Sequence, residues 1–338
     1  MGLTHPRDLD AWRAWQARHE PWPRRLRRMW GGRLVRRPTP APVLTLTPGA
    51  AGAPVLVVLD SRTPTSRMAL LDPVRHLATS PAVLEVGGTG RVVEPGALGA
   101  DPDLDSVRVV VALGSYLPAG AAGQAFARSR GLPFVVVQHG LLTPHMAPLP
   151  SAAHLLAWSD ADAAFWSEGR PDVVTTTVGS QLLWQARRGP SRTAAPGAAP
   201  VFLGQLHAAE LGRREITRAS VSFCRRHGAD YRPHPAERDK LSRLQHAWWQ
   251  RRGIHVSHDD TPVSGIAAPV VSIFSTGVLE AAAHGLPAWT WFPDPPPWLS
   301  EFWHRYDLRH WGGPPTPAPA VPDLEPAAAV AAYLEELS

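Results

Sequence analysis

Residues 107–140 read Val-Arg-Val-Val-Val-Ala-Leu-Gly-Ser-Tyr-Leu-Pro-Ala-Gly-Ala-Ala-Gly-Gln-Ala-Phe-Ala-Arg-Ser-Arg-Gly-Leu-Pro-Phe-Val-Val-Val-Gln-His-Gly. Two apolar runs, 107–113 and 134–138, flank a helix-like stretch rich in alanine. Each run is short and rich in β-branched residues, with Arg108 the one polar position inside the first and Gln138 ending the second. A strand with one wet face would alternate, so runs of this kind read as parallel strands covered on both faces.

Working outward, the same pattern recurs at 55–59, 83–86, 154–158 and 173–178. A Pro/Gly/Ala/Arg stretch at 187–200 interrupts it and reads as a linker. Beyond the linker, strands at 201–206, 230–232, 254–256, 270–274 and 287–292 alternate with helices at 214–227, 236–252, 276–284 and 298–310. Residues 311–322 are Pro-rich and extended, and Asp323 is placed to cap a last helix with Glu325 in its first turn. These patterns predict an α/β chain of two Rossmann-like domains whose parallel sheets face a cleft. The expected boundaries are an arm at 1–40, a first domain at 41–187, a linker at 188–200, a second domain at 201–312, and a Pro-rich segment with a C-terminal helix at 313–338.

The 338 residues suffice for two separate cores, and 44% hydrophobic against 19% charged residues is a globular composition. Cys224 is the only cysteine, so no intrachain disulfide can form. No apolar stretch reaches membrane-spanning length, and the N-terminus lacks the apolar core of a signal peptide, so a cytoplasmic protein is expected. The net charge of +5 is unevenly spread. Residues 1–37 hold ten arginines against Asp8, Asp10 and Glu20, or +7, which leaves the remainder at −2. Asp8 can cap a first helix carrying Leu9, Trp12 and Trp15. Pro23, Leu26, Met29 and Trp30 mark a second. Arginine interleaved with tryptophan suits an anionic membrane surface on the cytoplasmic side; the simpler alternative packs the Trp face on the chain's own first domain.

Three segments carry residues suited to chemistry. Gln138-His139-Gly140 follows a strand directly, where open α/β sheets bind ligands; His139 can take a proton, and Gly140 permits a sharp turn. Tyr231-Arg232-Pro233-His234-Pro235 fixes His234 between two prolines at the end of another strand, with Arg232 and His234 able to donate to phosphate oxygens. Ser275-Thr276-Gly277, with Glu280 one turn on, opens a helix whose free N–H groups favour an anion.

Together these segments resemble bacterial capsule and surface-polysaccharide transferases of the GT-B fold. They are most similar to those that use cytidine nucleotides: sialyltransferase-like and Kdo-transferase-like enzymes and CDP-glycerol glycerophosphotransferases. The resemblance covers residues 130–290. It implies that His234, Ser275 and Thr276 hold the nucleotide phosphate, that Glu280 holds the ribose, and that His139 is the base. The paired acidic base motif of the sialyltransferases is absent.

Gln205 and His207, at the end of the first strand of the second domain, are further candidates for donor contact. Asp101, Asp103, Asp105, Asp160 and Asp162 form Asp-x-Asp pairs that read as turns and caps rather than metal ligands. Gly87-Gly88-Thr89-Gly90 reads as a glycine turn and His258-Asp259-Asp260 as a solvated loop. The expectation is a metal-independent glycosyltransferase without a cofactor, taking a CMP- or CDP-linked donor and a cell-envelope glycan or glycolipid acceptor. Alternatives are a polyol-phosphate transferase, a nucleotide-sugar 2-epimerase and, outside enzymes, a nucleic-acid binder acting through its arm. Nucleic acid is not expected as a partner, because the body is near neutral.

Overall fold

The computed structural model describes residues 1–19, 42–257 and 261–338. The chain divides into two units. The first comprises residues 42–184 together with Gly2–Ala17 and Pro322–Ser338, and the second comprises Gln185–Val321.

The first unit is built on eight strands: β1 (Leu44–Thr47), β2 (Val55–Leu59), β3 (Ala82–Val86), β4 (Arg91–Val93), β5 (Val109–Ala112), β6 (Phe134–Val137), β7 (His154–Ala157) and β8 (Val174–Thr177). Their order across the sheet is β4-β1-β3-β2-β5-β6-β7-β8. From β3 to β8 every pairing is parallel. Leu56, Val58, Val110 and Val136 face one apolar cluster, and Val55, Val57, Val109 and Val135 face another. Both faces are therefore covered, which is why these runs show no alternation.

The edge departs from the sequence reading. β1 and β4 went unrecognised, and β1 runs antiparallel to both β3 and β4. Each is short, and β4 has exposed residues at Arg91 and Val92, so neither shows the apolar run that marked the others. The glycine turn at Gly87–Gly90 links β3 to β4.

Helices α1 (Leu9–His19), α2 (Pro64–Leu70), α3 (Pro118–Arg130), α4 (Asp160–Trp166) and α5 (Gln181–Arg188) accompany this part of the chain. Asp8 caps α1 by accepting from the Ala11 N–H at 2.8 Å. Trp12 is buried, its Nε1 donates to the His145 carbonyl at 2.7 Å, and Trp15 stacks on the His145 ring at 4.6 Å. The first tryptophan face is thus occupied by the chain's own body. The second helical pattern, at Pro23 to Trp30, lies outside the described residues.

The C-terminal helix returns to this first unit. Val330 and Leu334 join Val55, Val57 and Val109 in one cluster, and His154 Nδ1 lies 2.8 Å from the Tyr333 hydroxyl. Each such buried aliphatic side chain contributes about 1.5–3 kcal/mol. Glu325 rather than Asp323 stands at its N-cap position, but the Glu325 side chain makes no capping bond. The Glu325 carboxylate accepts from Gln181 Nε2 at 2.7 Å and pairs with Arg75.

The second unit carries β9 (Val201–Leu203), β10 (Asp230–Arg232), β11 (Val270–Ser272) and β12 (Ala288–Thr290), all parallel, in the order β10-β9-β11-β12. Its helices are α6 (Arg213–His227), α7 (Lys240–Gln250), α8 (Thr276–Ala283) and α9 (Pro297–Arg305), and α10 (Pro326–Glu336) is the returning helix just described. Residues 254–256, expected as a strand, reduce to a single bridge between Tyr231 and Val256. No helix among the described residues is long and apolar enough to cross a membrane.

Candidate functional site

Strand order fixes where a ligand can sit in the second unit. The chain runs from β9 outward to β10, then returns to the far side of β9 for β11 and β12. A reversal of this kind leaves a crevice outside the carboxyl ends of the two strands that flank it, here β9 and β11. Leu203 leads into Gly204-Gln205-Leu206-His207, Arg232 into Pro233-His234, and Ser272 into the start of α8. Gln205, His207, His234 and Ser275 therefore lie on loops at one end of one sheet, with Arg232 closing β10 and Thr276 and Gly277 opening α8 beside them.

Their contacts are specific. The His207 and His234 rings stack with centroids 3.8 Å apart and planes 20° from parallel. The Ala236 N–H donates to His234 Nδ1 at 3.1 Å, which leaves the proton of the neutral ring on Nε2 as a donor. Packing around His234 lowers its pKa below the ordinary imidazole value, and the Glu237 carboxylate acts the other way. Ser275 caps α8, its Oγ accepting from the Gly277 N–H at 3.1 Å. A Cβ at Gly277 would stand 2.6 Å from Leu203 Cδ1, so α8 starts against the end of β9 and a larger residue there would have to displace the Leu203 side chain. Glu280, one turn into the helix, is mostly buried. Burial pushes its carboxyl up to about 7, and the Arg232 guanidinium pulls it part of the way back. At neutral pH it divides between its two forms, and a ligand donating hydrogen bonds would favour the ionised one.

Gln205 has another task. Its side chain is buried, and Oε1 accepts from the Phe274 N–H at 2.9 Å and from Ser272 Oγ at 3.1 Å. It ties the loop after β9 to the strand end of β11, and that oxygen is taken. A second tie was not legible in the sequence. Buried Glu237 accepts from the Leu206 N–H at 2.9 Å, from the Tyr231 hydroxyl at 2.9 Å, and lies 3.1 Å from His246 Nε2. It joins the loops after β9 and β10 and so holds His207 beside His234. Its only sequence signal is a glutamate three residues after His234, which does not distinguish a buried carboxylate from a surface one.

In the first unit the strand order reverses between β2 and β5. Their ends supply Asp60, Ser61, Gly114 and Tyr116, which with His139 line a cavity of about 70 Å³. Asp60 accepts from the Ala119 N–H at 2.7 Å and the Gly120 N–H at 2.9 Å, at the positive end of α3. Burial raises the Asp60 pKa, opposed by these two donors, and burial also raises that of Tyr116. Asp60 was missed because a lone aspartate after an apolar run resembles any strand-end turn.

His139 differs from its expected state. Burial lowers its pKa to about 4 instead of leaving it near 6.5, and Nδ1 is buried without a hydrogen-bond partner among the described residues. Gln138 holds the strand end: its Nε2 donates to the Gly140 carbonyl at 3.0 Å and to Asp162 Oδ2 at 3.1 Å, and its Oε1 accepts from the Trp158 N–H at 2.8 Å. The chain bends at Gly140 without entering the left-handed region, and a Cβ there would meet open space, so the bend does not depend on glycine. Asp101 caps a 3-10 turn and pairs with Arg91, as does Asp103, and Asp105 pairs with Arg130. Asp160 and Asp162 lie in the first turn of α4. His258, Asp259 and Asp260 lie outside the described residues.

No protein-family model and no curated protein matches the chain. Several solved structures resemble it at low identity. An O-GlcNAc transferase mutant from Thermobaculum terrenum is 13% identical with a TM-score of 0.45, over 97% of this chain and 72% of the other. The glycotransferase of kitacinnamycin is 14% identical with a TM-score of 0.40, over 86% and 94%. KpsC from Thermosulfurimonas dismutans, a beta Kdo 2,4 transferase, is 15% identical with a TM-score of 0.32, over 83% and 90%.

Proposed function

We propose that this chain is a glycosyltransferase of the GT-B type that binds a nucleotide-activated donor, linked to CMP or CDP, at the switch point of the second unit. The sugar would pass to a glycan or glycolipid acceptor of the cell envelope. The observation that carries this reading is the convergence of His234, His207, Arg232, the α8 N-terminus and Glu280 at the carboxyl ends of one parallel sheet.

Each group has a role that its chemistry suits. The His234 Nε2–H, Arg232 and the Thr276 hydroxyl and N–H meet the phosphate oxygens, and the positive end of α8 adds to them. Glu280 accepts from the ribose hydroxyls. As the acceptor oxygen bonds to the anomeric carbon, the bond from that carbon to the phosphate oxygen breaks, and the nucleotide leaves with the electron pair. The groups on its phosphate stabilise that departing charge. His139, neutral throughout the physiological range, takes the acceptor proton. In this proposal neither a metal nor a cofactor is required.

The phosphate contacts cannot tell one base from another. Base selectivity falls to backbone groups near residues 232–235 and 263–268; Val263 of the second segment approaches Gly277 at the start of α8. Cytosine presents an amino donor where uracil presents a carbonyl. A mismatch leaves a buried group unpaired at a cost of about 1–3 kcal/mol. CMP or CDP is therefore expected to raise the melting temperature more than UMP or UDP at equal concentration. A larger shift with the uridine nucleotides would overturn the cytidine assignment.

A further inference from the structure

Helix α7 presents two unlike faces. Ser242, His246 and Trp249 are buried against the second unit, whereas Leu241, Leu244 and Trp248 are 39%, 70% and 46% exposed. Spacings of three and four residues put these three on one stripe, away from the buried side. Scattered single apolar residues on a surface need no explanation, but two leucines and a tryptophan aligned on one helix do.

The surroundings of the stripe are basic. Arg238, Lys240, Arg243, Arg251 and Arg252 are all exposed at the ends and sides of the helix. The Arg252 guanidinium lies over the Trp248 ring, 4.0 Å from its centroid. Asp239 is the only acidic residue from 238 to 252, and its carboxylate is engaged with the Leu241 and Ser242 N–H groups and the Ser242 hydroxyl. The neighbouring α6, linked to α7 by Gln245 Nε2 donating to Thr217 Oγ1 at 2.7 Å, adds exposed Arg214, Arg218, Arg225 and Arg226 against Glu215.

We propose that α7 is a docking surface for an anionic lipid membrane, with Leu241, Leu244 and Trp248 entering the headgroup region and the flanking arginines and Lys240 meeting lipid phosphates. Cationic charge alone would suit nucleic acid equally well. The apolar stripe distinguishes the two, because aliphatic side chains gain little on a phosphate backbone and much in an acyl boundary, where tryptophan also settles. None of these residues has a role in the proposed transfer chemistry, so the assignment does not depend on the transferase reading.

The test is flotation of the full chain with vesicles of phosphatidylserine and phosphatidylcholine, compared with phosphatidylcholine alone. The full chain should float with the anionic vesicles, float weakly or not at all with the neutral ones, and lose most binding at high salt. The double variant Leu244→Glu with Trp248→Glu should lose flotation at an unchanged melting temperature, since both side chains are exposed. Arg243→Glu with Arg252→Glu should lose it as well. If the full chain does not float, or the Leu244/Trp248 variant floats as well as the parent, the assignment fails; the latter result would move any attachment to the N-terminal arm. Binding to single-stranded RNA without flotation, or a dimer that the same variant converts to monomer without flotation, would also overturn it.

Discussion

His139→Ala is expected to slow turnover by about 10²–10⁴-fold, the usual worth of a general base, while leaving nucleotide affinity nearly unchanged. The lowered pKa sharpens the expectation. A base must be neutral to take a proton, and with its pKa held near 4, His139 is neutral at all but acid pH. At saturating donor the rate should therefore fall as pH drops through about 4, not through the ordinary histidine range near 6.5. Glu280, near 7 in the free protein, should act on donor affinity instead, which strengthens as the carboxyl ionises. Near-normal turnover in the folded variant, or a loss of nucleotide affinity, would remove His139 from this role.

His234→Ala is expected to weaken nucleotide binding by about 1.5–3 kcal/mol, the scale of a hydrogen bond to a charged acceptor. The side chain is exposed and donates no structural bond; its Nδ1 only receives the Ala236 N–H. The variant should therefore fold, and the loss should appear in calorimetry as affinity rather than as a fraction of inactive protein. Unchanged affinity would separate His234 from the phosphate.

What the sequence discloses and what it hides follow from physical range. Strands such as Val55–Leu59 are legible because burial on both faces leaves an unbroken apolar run. The strands Leu44–Thr47 and Arg91–Val93 are not, because each is short and a strand on the antiparallel side of the sheet needs no such run. The apolar spacing of Pro326–Glu336 announces a helix but cannot say that Val330 and Leu334 belong with Val55 and Val109, more than two hundred residues earlier in the chain. The candidate site divides in the same way. The His-Pro and Ser-Thr-Gly segments stand out because proline and a helix start constrain their own backbone. The stacking of His207 on His234 and the joining of their loops through Glu237 depend on contacts between distant segments. Asp60 and Tyr116 are invisible until the strand order brings the ends of β2 and β5 together.

The central claim is that a nucleotide occupies the switch point of the second unit, and backbone hydrogen exchange with and without bound CDP tests it most directly. Protection is predicted in three segments at once: the loop after β9 at residues 204–207, the loop after β10 at 233–237, and the start of α8 at 273–280. Protection confined to the first unit, or no change in these three segments at saturating nucleotide, would contradict it.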